Sequence, residues 1–445
     1  MKTERRYKKG ISPIKILPLG FLSIILLGTA LLMIPAASYE KTTLFQAFFT
    51  ATSASCVTGL VVVDTGVHFT PFGQAIVLLL IQLGGLGFMT VASLLFSMMG
   101  KQISLRKRMT IAEGLGQDHL QGVIKLGLNA IKLTVSIELV GAALLAIRFI
   151  PQYGLGRGIW FSVFHSISAF CNAGFDLIGG YVSLVPYADD PLVCLTICGL
   201  IIAGGLGFAV LTNIGERRRF RDLRLHTKIV LCTTLILILA GTGLFYLFEC
   251  NNPKTMESMG VPQRLLASFF QSVTCRTAGF NSIDQYGMND ASKLLSCILM
   301  FIGGSPAGTA GGIKTSTFAV LFLTMRALIR GRSDTEAFGR RLPTSSTRRS
   351  LCIFMIGLCC AVAASMVVSL AETGGNFIDH IFEILSALGT VGLSAGVTAS
   401  AGTLTRLILC GLMYIGRVGM LTLALSLTRD DGSAIRYPEG NIIVG

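Results

Sequence analysis

Apolar residues dominate stretches of about 20 residues or more at eight places along the chain: 16–37, 73–99, 127–150, 191–215, 228–249, 291–325, 350–371 and 403–428. Runs of that length match the hydrocarbon core of a bilayer, which a helix crosses in about 20 residues. Between the two members of each successive pair lies a shorter segment of a different kind. It is a half-length, helix-like run that ends in small residues, a Gly and a large apolar residue. The four copies are Phe49-Thr-Ala-Thr-Ser-Ala-Ser-Cys-Val-Thr-Gly-Leu60, Phe164-His-Ser-Ile-Ser-Ala-Phe-Cys-Asn-Ala-Gly-Phe175, Phe269-Phe-Gln-Ser-Val-Thr-Cys-Arg-Thr-Ala-Gly-Phe280 and Phe382-Glu-Ile-Leu-Ser-Ala-Leu-Gly-Thr-Val-Gly-Leu393. An internal repeat of this kind sets the architecture before any local reading does. The pattern predicts an all-α integral membrane protein of four consecutive units, each a span, a short pore-type helix, a Gly-containing loop and a second span. The units are 16–99, 125–215, 228–325 and 350–428, preceded by a segment 1–15 and followed by a tail 429–445.

Composition agrees: 52% of residues are hydrophobic and 13% charged, about half the roughly 25% charged content of soluble domains. The basic residues then fix an orientation. Of 37 Lys and Arg, 27 fall in the N-terminal segment, the linkers between units and the tail, all on one side of the eight spans. Eight fall on the other side (Lys41, Arg148, Arg157, Lys254, Arg264, Arg276, Lys293, Arg406), and Lys314 and Arg417 lie at membrane depth. That bias puts both termini in the cytoplasm and all four Gly loops facing outward. The basic residues lie between apolar spans and lack interleaved aromatics, so the net charge of +14 points to membrane lipid and not to nucleic acid. The basic start followed by a long apolar run reads as a retained first span and not as a cleaved signal. Most Cys sit inside apolar runs, where they act as small hydrophobes, and the five scattered His lack ligand spacing, so no metal site is expected.

Because every unit contains two spans, all four share one orientation and surround an axis along the membrane normal, giving a pseudo-fourfold arrangement. Irregular backbone survives at membrane depth only where protein or a water-filled cavity satisfies it. Four such loops on one axis present backbone carbonyls to whatever passes, and carbonyl rings can replace the hydration shell of a cation. These loops resemble those of the Trk, Ktr and HKT potassium transporter superfamily, whose subunits carry four span–pore–span units with one filter Gly each. With eight spans and almost no N-terminal addition, the chain is most similar to the membrane subunits of bacterial Ktr systems, the KtrB type. The resemblance implies potassium uptake at the plasma membrane. Its filter ligands would be the backbone carbonyls of Val57, Thr58, Gly59, Asn172, Ala173, Gly174, Thr277, Ala278, Gly279, Thr390, Val391 and Gly392. A Ser at the first filter Gly accompanies sodium permeation in that family, so Gly59 implies selectivity for the potassium ion. Asp64, Asp176 and Asp284 follow three of the loops; they either concentrate cations at the mouth or are ordinary loop charges.

The second spans align as Leu83-Gly-Gly-Leu-Gly-Phe88, Ala203-Gly-Gly-Leu-Gly-Phe208, Ile302-Gly-Gly-Ser-Pro-Ala-Gly308 and Ile415-Gly-Arg-Val-Gly-Met420. Gly84, Gly85, Gly204 and Gly205 are read as close-packing positions. In the third unit Gly303, Gly304, Ser305, Pro306, Ala307, Gly308, Thr309, Ala310, Gly311, Gly312, Ile313 and Lys314 form a run that no helix interior tolerates. It predicts a break below the third loop able to block the passage, and the resemblance implies an intramembrane gate there. The run nearly matches a phosphate-binding loop, but Ile313 separates Gly312 from Lys314 and no strand precedes it. Arg417 occupies the column of Gly85, Gly205 and Gly304. An intramembrane Arg is a functional hypothesis by default; it either forms an electrostatic barrier paired with the gate-loop carbonyls or is a structural tie to Glu138 or another span.

The resemblance further implies a homodimer on a cytoplasmic ring of nucleotide-binding regulatory subunits, with the sodium ion a candidate activator beside potassium and no organic cofactor in this chain. Strictly sodium- or proton-coupled secondary transport is the competing mechanism. An intramembrane enzyme is not expected, because no H-E-x-x-H, G-x-S-x-G or paired Asp motif is present.

Overall fold

The structure, a computed structural model, describes residues 13–87, 123–217, 219–372 and 374–427. It is helical almost throughout. Unit one comprises α1 (Pro13–Leu32), α2 (Leu44–Cys56) and α3 (Pro71–Leu86). Unit two comprises α4 (Val123–Tyr153), α5 (Leu155–Phe170), α6 (Pro191–Leu206) and α7 (Phe208–Glu216). Unit three comprises α8 (Leu225–Glu249), α9 (Val261–Thr274), α10 (Asp290–Phe301) and α11 (Thr315–Ile329). A short hairpin, β1 (Glu336–Ala337) paired antiparallel with β2 (Arg340–Arg341), leads to unit four: α12 (Thr344–Ala371), α13 (Phe377–Gly389), α14 (Thr403–Val418) and α15 (Met420–Leu427). The expected segments 1–12, 88–99 and 429–445 lie outside the described residues.

Local chemistry explains the starts. Thr43 and Gln46 form a reciprocal capping box on α2, which satisfies two otherwise orphaned donors. Thr70 and Asp190 cap α3 and α6, each followed by Pro at the first helical position, where its missing N–H costs nothing. The four short helices α2, α5, α9 and α13 contain 13, 16, 14 and 13 residues. At 1.5 Å per residue they reach about 20 Å, too short for a hydrocarbon core of about 30 Å.

The second spans depart from expectation. Only the third was expected to break, yet α6 meets α7 at 96° and α14 meets α15 at 95°. The pivots are Gly207 and Gly419, with φ of +86° and +98°, and α3 stops at Gly87 with φ +78°. All three occupy one column of the repeat, and Gly reaches such φ values without a Cβ penalty. In unit three the same register holds Pro306, and the helix is interrupted from Ile302 to Lys314. Among the described residues four helices alone are long and apolar enough to span a membrane, or up to six when each bent pair counts as one. The outer faces of α4, α8 and α12 expose Leu139, Ile147, Leu235, Leu239, Met366 and Leu370, the surface lipid covers. Apolar clusters join units one and two around Phe149, Phe164 and Phe170, units three and four around Phe245 and Phe382, and units four and one around Phe49 and Leu409.

Candidate functional site

Each short helix ends in one backbone pattern. Val57, Asn172, Thr277 and Thr390 have φ of 57°, 60°, 72° and 51°, and two residues later Gly59, Gly174, Gly279 and Gly392 have φ of 95°, 70°, 80° and 95°. The residue between them never takes positive φ. Left-handed backbone at Val and Thr is rare and strained, and strain held four times in register marks a site the surroundings over-determine. Buried hydroxyls hold the turns: Ser53 Oγ accepts from Gly59 N at 3.1 Å and Ser386 Oγ from Gly392 N at 3.0 Å, while Ser168 Oγ donates to Phe175 O at 2.7 Å.

The four loops meet. A Cβ on Gly59 would strike Ala173 O, one on Gly174 would strike Ala278 O, one on Gly279 would strike Val391 O, and one on Gly392 would strike Thr58 O. These contacts close a ring in chain order, each unit laying its glycine against the carbonyl of the next. All twelve residues named from the sequence are therefore brought together, and they are buried. Above the ring is a cavity of about 240 Å³ lined by the four glycines, Asp176 and Asp284. Asp64 is not in that lining. It caps a one-turn helix through Gly66 N and Val67 N and accepts from Tyr181 N. Asp176 has its carboxyl pushed up to about 6, by burial first and then by the nearby charge of Asp64, against the hydrogen bond from Ile178 N.

Each unit secures its loop differently. Glu383 on α13 is buried and accepts from Ser394 Oγ, Val397 N, Thr398 N and Thr398 Oγ1. Gln271 on α9 exchanges two hydrogen bonds with Gln285, at 2.7 and 3.0 Å. His165 on α5 faces Leu177 N at 3.4 Å. The sequence reading passed over Glu383 and Gln271, although both interrupt otherwise apolar or small runs.

Beneath the ring, residues 303–314 form a loop closed by a parallel bridge between Ile302 and Ile313. Ser305 N donates to Gly205 O at 2.9 Å, Thr309 N to Gly204 O at 3.3 Å, and the loop's Ala307 O accepts from Phe208 N at 3.0 Å. Thr309 Oγ1 lies 3.1 Å from Phe170 O and 3.0 Å from Asn172 Oδ1, and a Cβ on Gly311 or Gly312 would press on Thr390 or Gly389. The loop thus touches the undersides of units two and four. Gly84, Gly204 and Gly416 each pack under the end of their own unit's short helix, at Ser55 O, Phe170 O and Leu388 O.

Arg417 donates to Thr309 O, to Gly84 O and, at 3.2 Å, to Gly85 O. It is not tied to Glu138, which accepts instead from Gln82 Nε2 at 3.3 Å and lies beside Cys171 Sγ. Lys314 Nζ donates back to Ala310 O at 2.6 Å. Two of the residues counted on the outer side are buried. Arg276 is buried, 7% exposed, at the end of α9 below the ring, and Lys293 is buried in an ion pair with Asp379 at 2.7 Å. A count of charges between apolar runs assigns a side and does not show burial: both are covered by protein.

A ring of four strained loops, half-length helices leading into it and an interrupted helix below define a class: all-α membrane proteins built from four repeated helix–loop–helix units. The chain belongs to the TrkH family of cation transport proteins, whose family model matches residues 4–434, so it is a membrane transport protein and not an enzyme. Within that family the similarity is to the KtrB type. The chain is 41% identical to the Ktr system potassium uptake protein B of Bacillus subtilis, over 98% of this chain and 97% of that one. It is also 41% identical to the potassium/sodium uptake protein NtpJ of Enterococcus hirae, over 99% of each. The crystal structure of the potassium transporter TrkH from Vibrio parahaemolyticus superposes with a TM-score of 0.76 at 17% identity, covering 96% of this chain and 87% of that one, a likeness of fold.

Proposed function

We propose that this chain is the conducting membrane subunit of a potassium uptake system at the plasma membrane, both termini cytoplasmic. The observation that carries the reading is the closed ring of Gly59, Gly174, Gly279 and Gly392. Each of these glycines lies against backbone of the adjacent unit, and backbone carbonyls are hard oxygen ligands able to replace cation hydration. Val57, Thr58, Asn172, Ala173, Thr277, Ala278, Thr390 and Val391 complete the filter. Residues 303–314 are the gate, and Arg417, bonded to the loop and to unit one together, is the electrostatic barrier beneath the filter. The subunit works as a homodimer beside a cytoplasmic nucleotide-binding partner; the name of the Bacillus relative, one protein of a Ktr system, supports a separate partner.

The name of the Enterococcus relative includes sodium, which keeps sodium activation or coupling as the second reading. Potassium-uptake complementation with Gly59→Ser tests the filter: discrimination against sodium falls, and full retention would overturn the assignment. Potassium flux into proteoliposomes with and without a sodium gradient separates a gated conduit from coupled transport. Removing residues 306–311 tests the gate: flux rises severalfold, and unchanged flux would remove the loop from that role.

A further inference from the structure

Arg276 is a buried cation that the passage described above does not use. In the column three positions before each ring glycine, the other units carry Cys56, Cys171 and Gly389; only unit three has a charge there. Its guanidinium is covered by protein at 7% exposure, and among the described residues no carboxylate pairs with it. A buried charge left without an acid partner costs several kcal/mol, so its retention calls for a particular contact. That contact is with the far end of the interrupted helix. Arg276 Nη2 donates to Thr315 Oγ1 at 2.9 Å. The same hydroxyl donates to Gly303 O at 2.9 Å, and Thr315 N donates to Gly304 O at 2.9 Å. Thr315, the first residue of α11, therefore staples the far end of the loop to its first two residues, Gly303 and Gly304, and Arg276 grips the staple. Arg276 also lines, with Gly205, Thr234 and Gly304, a cavity of about 10 Å³ beside that closure. On its backbone side it directly precedes Thr277, and its carbonyl accepts from Asn172 Nδ2 at 3.4 Å.

We infer that Arg276 is a positioning residue that latches the hinge of the 303–314 loop to the base of the third filter segment, holding the loop in its closed place. The inference rests on the reading of that loop as a gate. Two guanidiniums then hold the loop at different points, Arg417 at Thr309 and Arg276 at Thr315. Only Arg276 joins the loop's hinge to a ring segment in covalent continuity with it. Withdrawal of the loop must stretch the Thr315 closure, so releasing Arg276 favours the open arrangement.

The test measures potassium flux by the full-length protein in proteoliposomes, with Arg276→Gln, Arg276→Lys and Thr315→Val set beside the variant lacking residues 306–311. Loss of one charged hydrogen bond shifts the closed-to-open ratio about tenfold. Arg276→Gln and Thr315→Val therefore raise the maximal rate severalfold with KM and potassium-over-sodium discrimination unchanged, and Arg276→Lys restores most of the native rate. A purely structural role predicts lower rates or altered discrimination instead, and that result overturns the latch. If Arg276→Gln does not reach the membrane, Thr315→Val alone decides. Raised flux in the loop-shortened variant with no change in Thr315→Val rejects the latch and leaves the gate standing; no change in the loop-shortened variant rejects the gate itself.

Discussion

The ring of loops and the layer directly beneath it are built on opposite plans. In the ring, four units repeat one backbone conformation, and each glycine meets the same neighbour, the carbonyl that precedes the next unit's glycine. Beneath it the units diverge, units two and four alone among the described residues sharing a bend at one column. Unit one offers the carbonyls of Gly84 and Gly85 to Arg417, units two and four bend at Gly207 and Gly419, unit three is interrupted, and unit four supplies the guanidinium of Arg417. The difference teaches where duplication is useful. If the ring is the proposed filter, a cation at its centre needs equivalent oxygens on all sides, and the repeated backbone supplies them. A closing device must act once, so the repeat is broken.

The largest expected effect tests the equivalence of the four ring positions. At each of Gly59, Gly174, Gly279 and Gly392 the φ is positive and a Cβ would meet backbone of the adjacent unit, which cannot yield as a side chain can. Each single Gly→Ala substitution should lower potassium uptake by about tenfold or more, since steric overlap with a fixed backbone adds to left-handed strain of about 1–2 kcal/mol. Uptake assays on all four would break the comparison if one position tolerated Ala.

Next is the lower layer. Arg417→Ser should raise maximal flux about tenfold, the change that follows from removing roughly 1.4 kcal/mol of electrostatic barrier. Unchanged rate and affinity would reduce Arg417 to a structural brace. A smaller effect separates the outer fastenings. Glu383→Gln exchanges an acceptor of four hydrogen bonds for a group that must donate at one end, and should cost about 1–3 kcal/mol. A lowered Tm in detergent and weaker sodium exclusion are the readouts, and Thr50, at the same column of unit one, is the mild control when changed to Val.

The smallest effect is at the mouth. With its carboxyl pushed up to about 6, Asp176 is mostly neutral at external pH 5 and mostly charged at pH 7. KM for potassium should therefore fall about two- to threefold over that interval, as one carboxylate charge forms beside the cavity. In Asp176→Asn it should stay at its higher value at both pH values.

The repeat made the architecture readable from sequence, because four copies of small-residue–Gly–large-residue, each between apolar runs, admit few arrangements. The composition of 303–314 likewise announced its break, and Arg417 stood out from a column of glycines. Three features were not readable in the same way. Gly207 and Gly419 sit inside runs whose hydropathy is continuous, and hydropathy is blind to direction, so two bends of about a right angle passed for straight spans. A charge count reads Arg276 and Lys293 only for the side on which they fall; packing alone shows them covered by protein. The column comparison that singled out Arg417 would have found Arg276 as well, set against Cys56, Cys171 and Gly389. Glu383 was hidden because its partners, Ser394 and Thr398, lie beyond the loop, and nothing in sequence says that the chain turns back over its own helix.

The helix ends under the ring have one more consequence. Gly84 O and Gly85 O, at the end of α3, accept from Arg417, and Gly204 O and Gly205 O, at the end of α6, accept from the amides of Thr309 and Ser305. Helix C-termini carry partial negative charge, so these four oxygens are natural stopping places for a cation leaving the ring. In this structure every one of them accepts from a donor of the protein itself. On the proposed reading of residues 303–314 as a gate, guanidinium, loop amides and permeating ion would be rival ligands for a single set of acceptors, and closure would be a form of self-inhibition: the protein would block its own passage by impersonating its cargo.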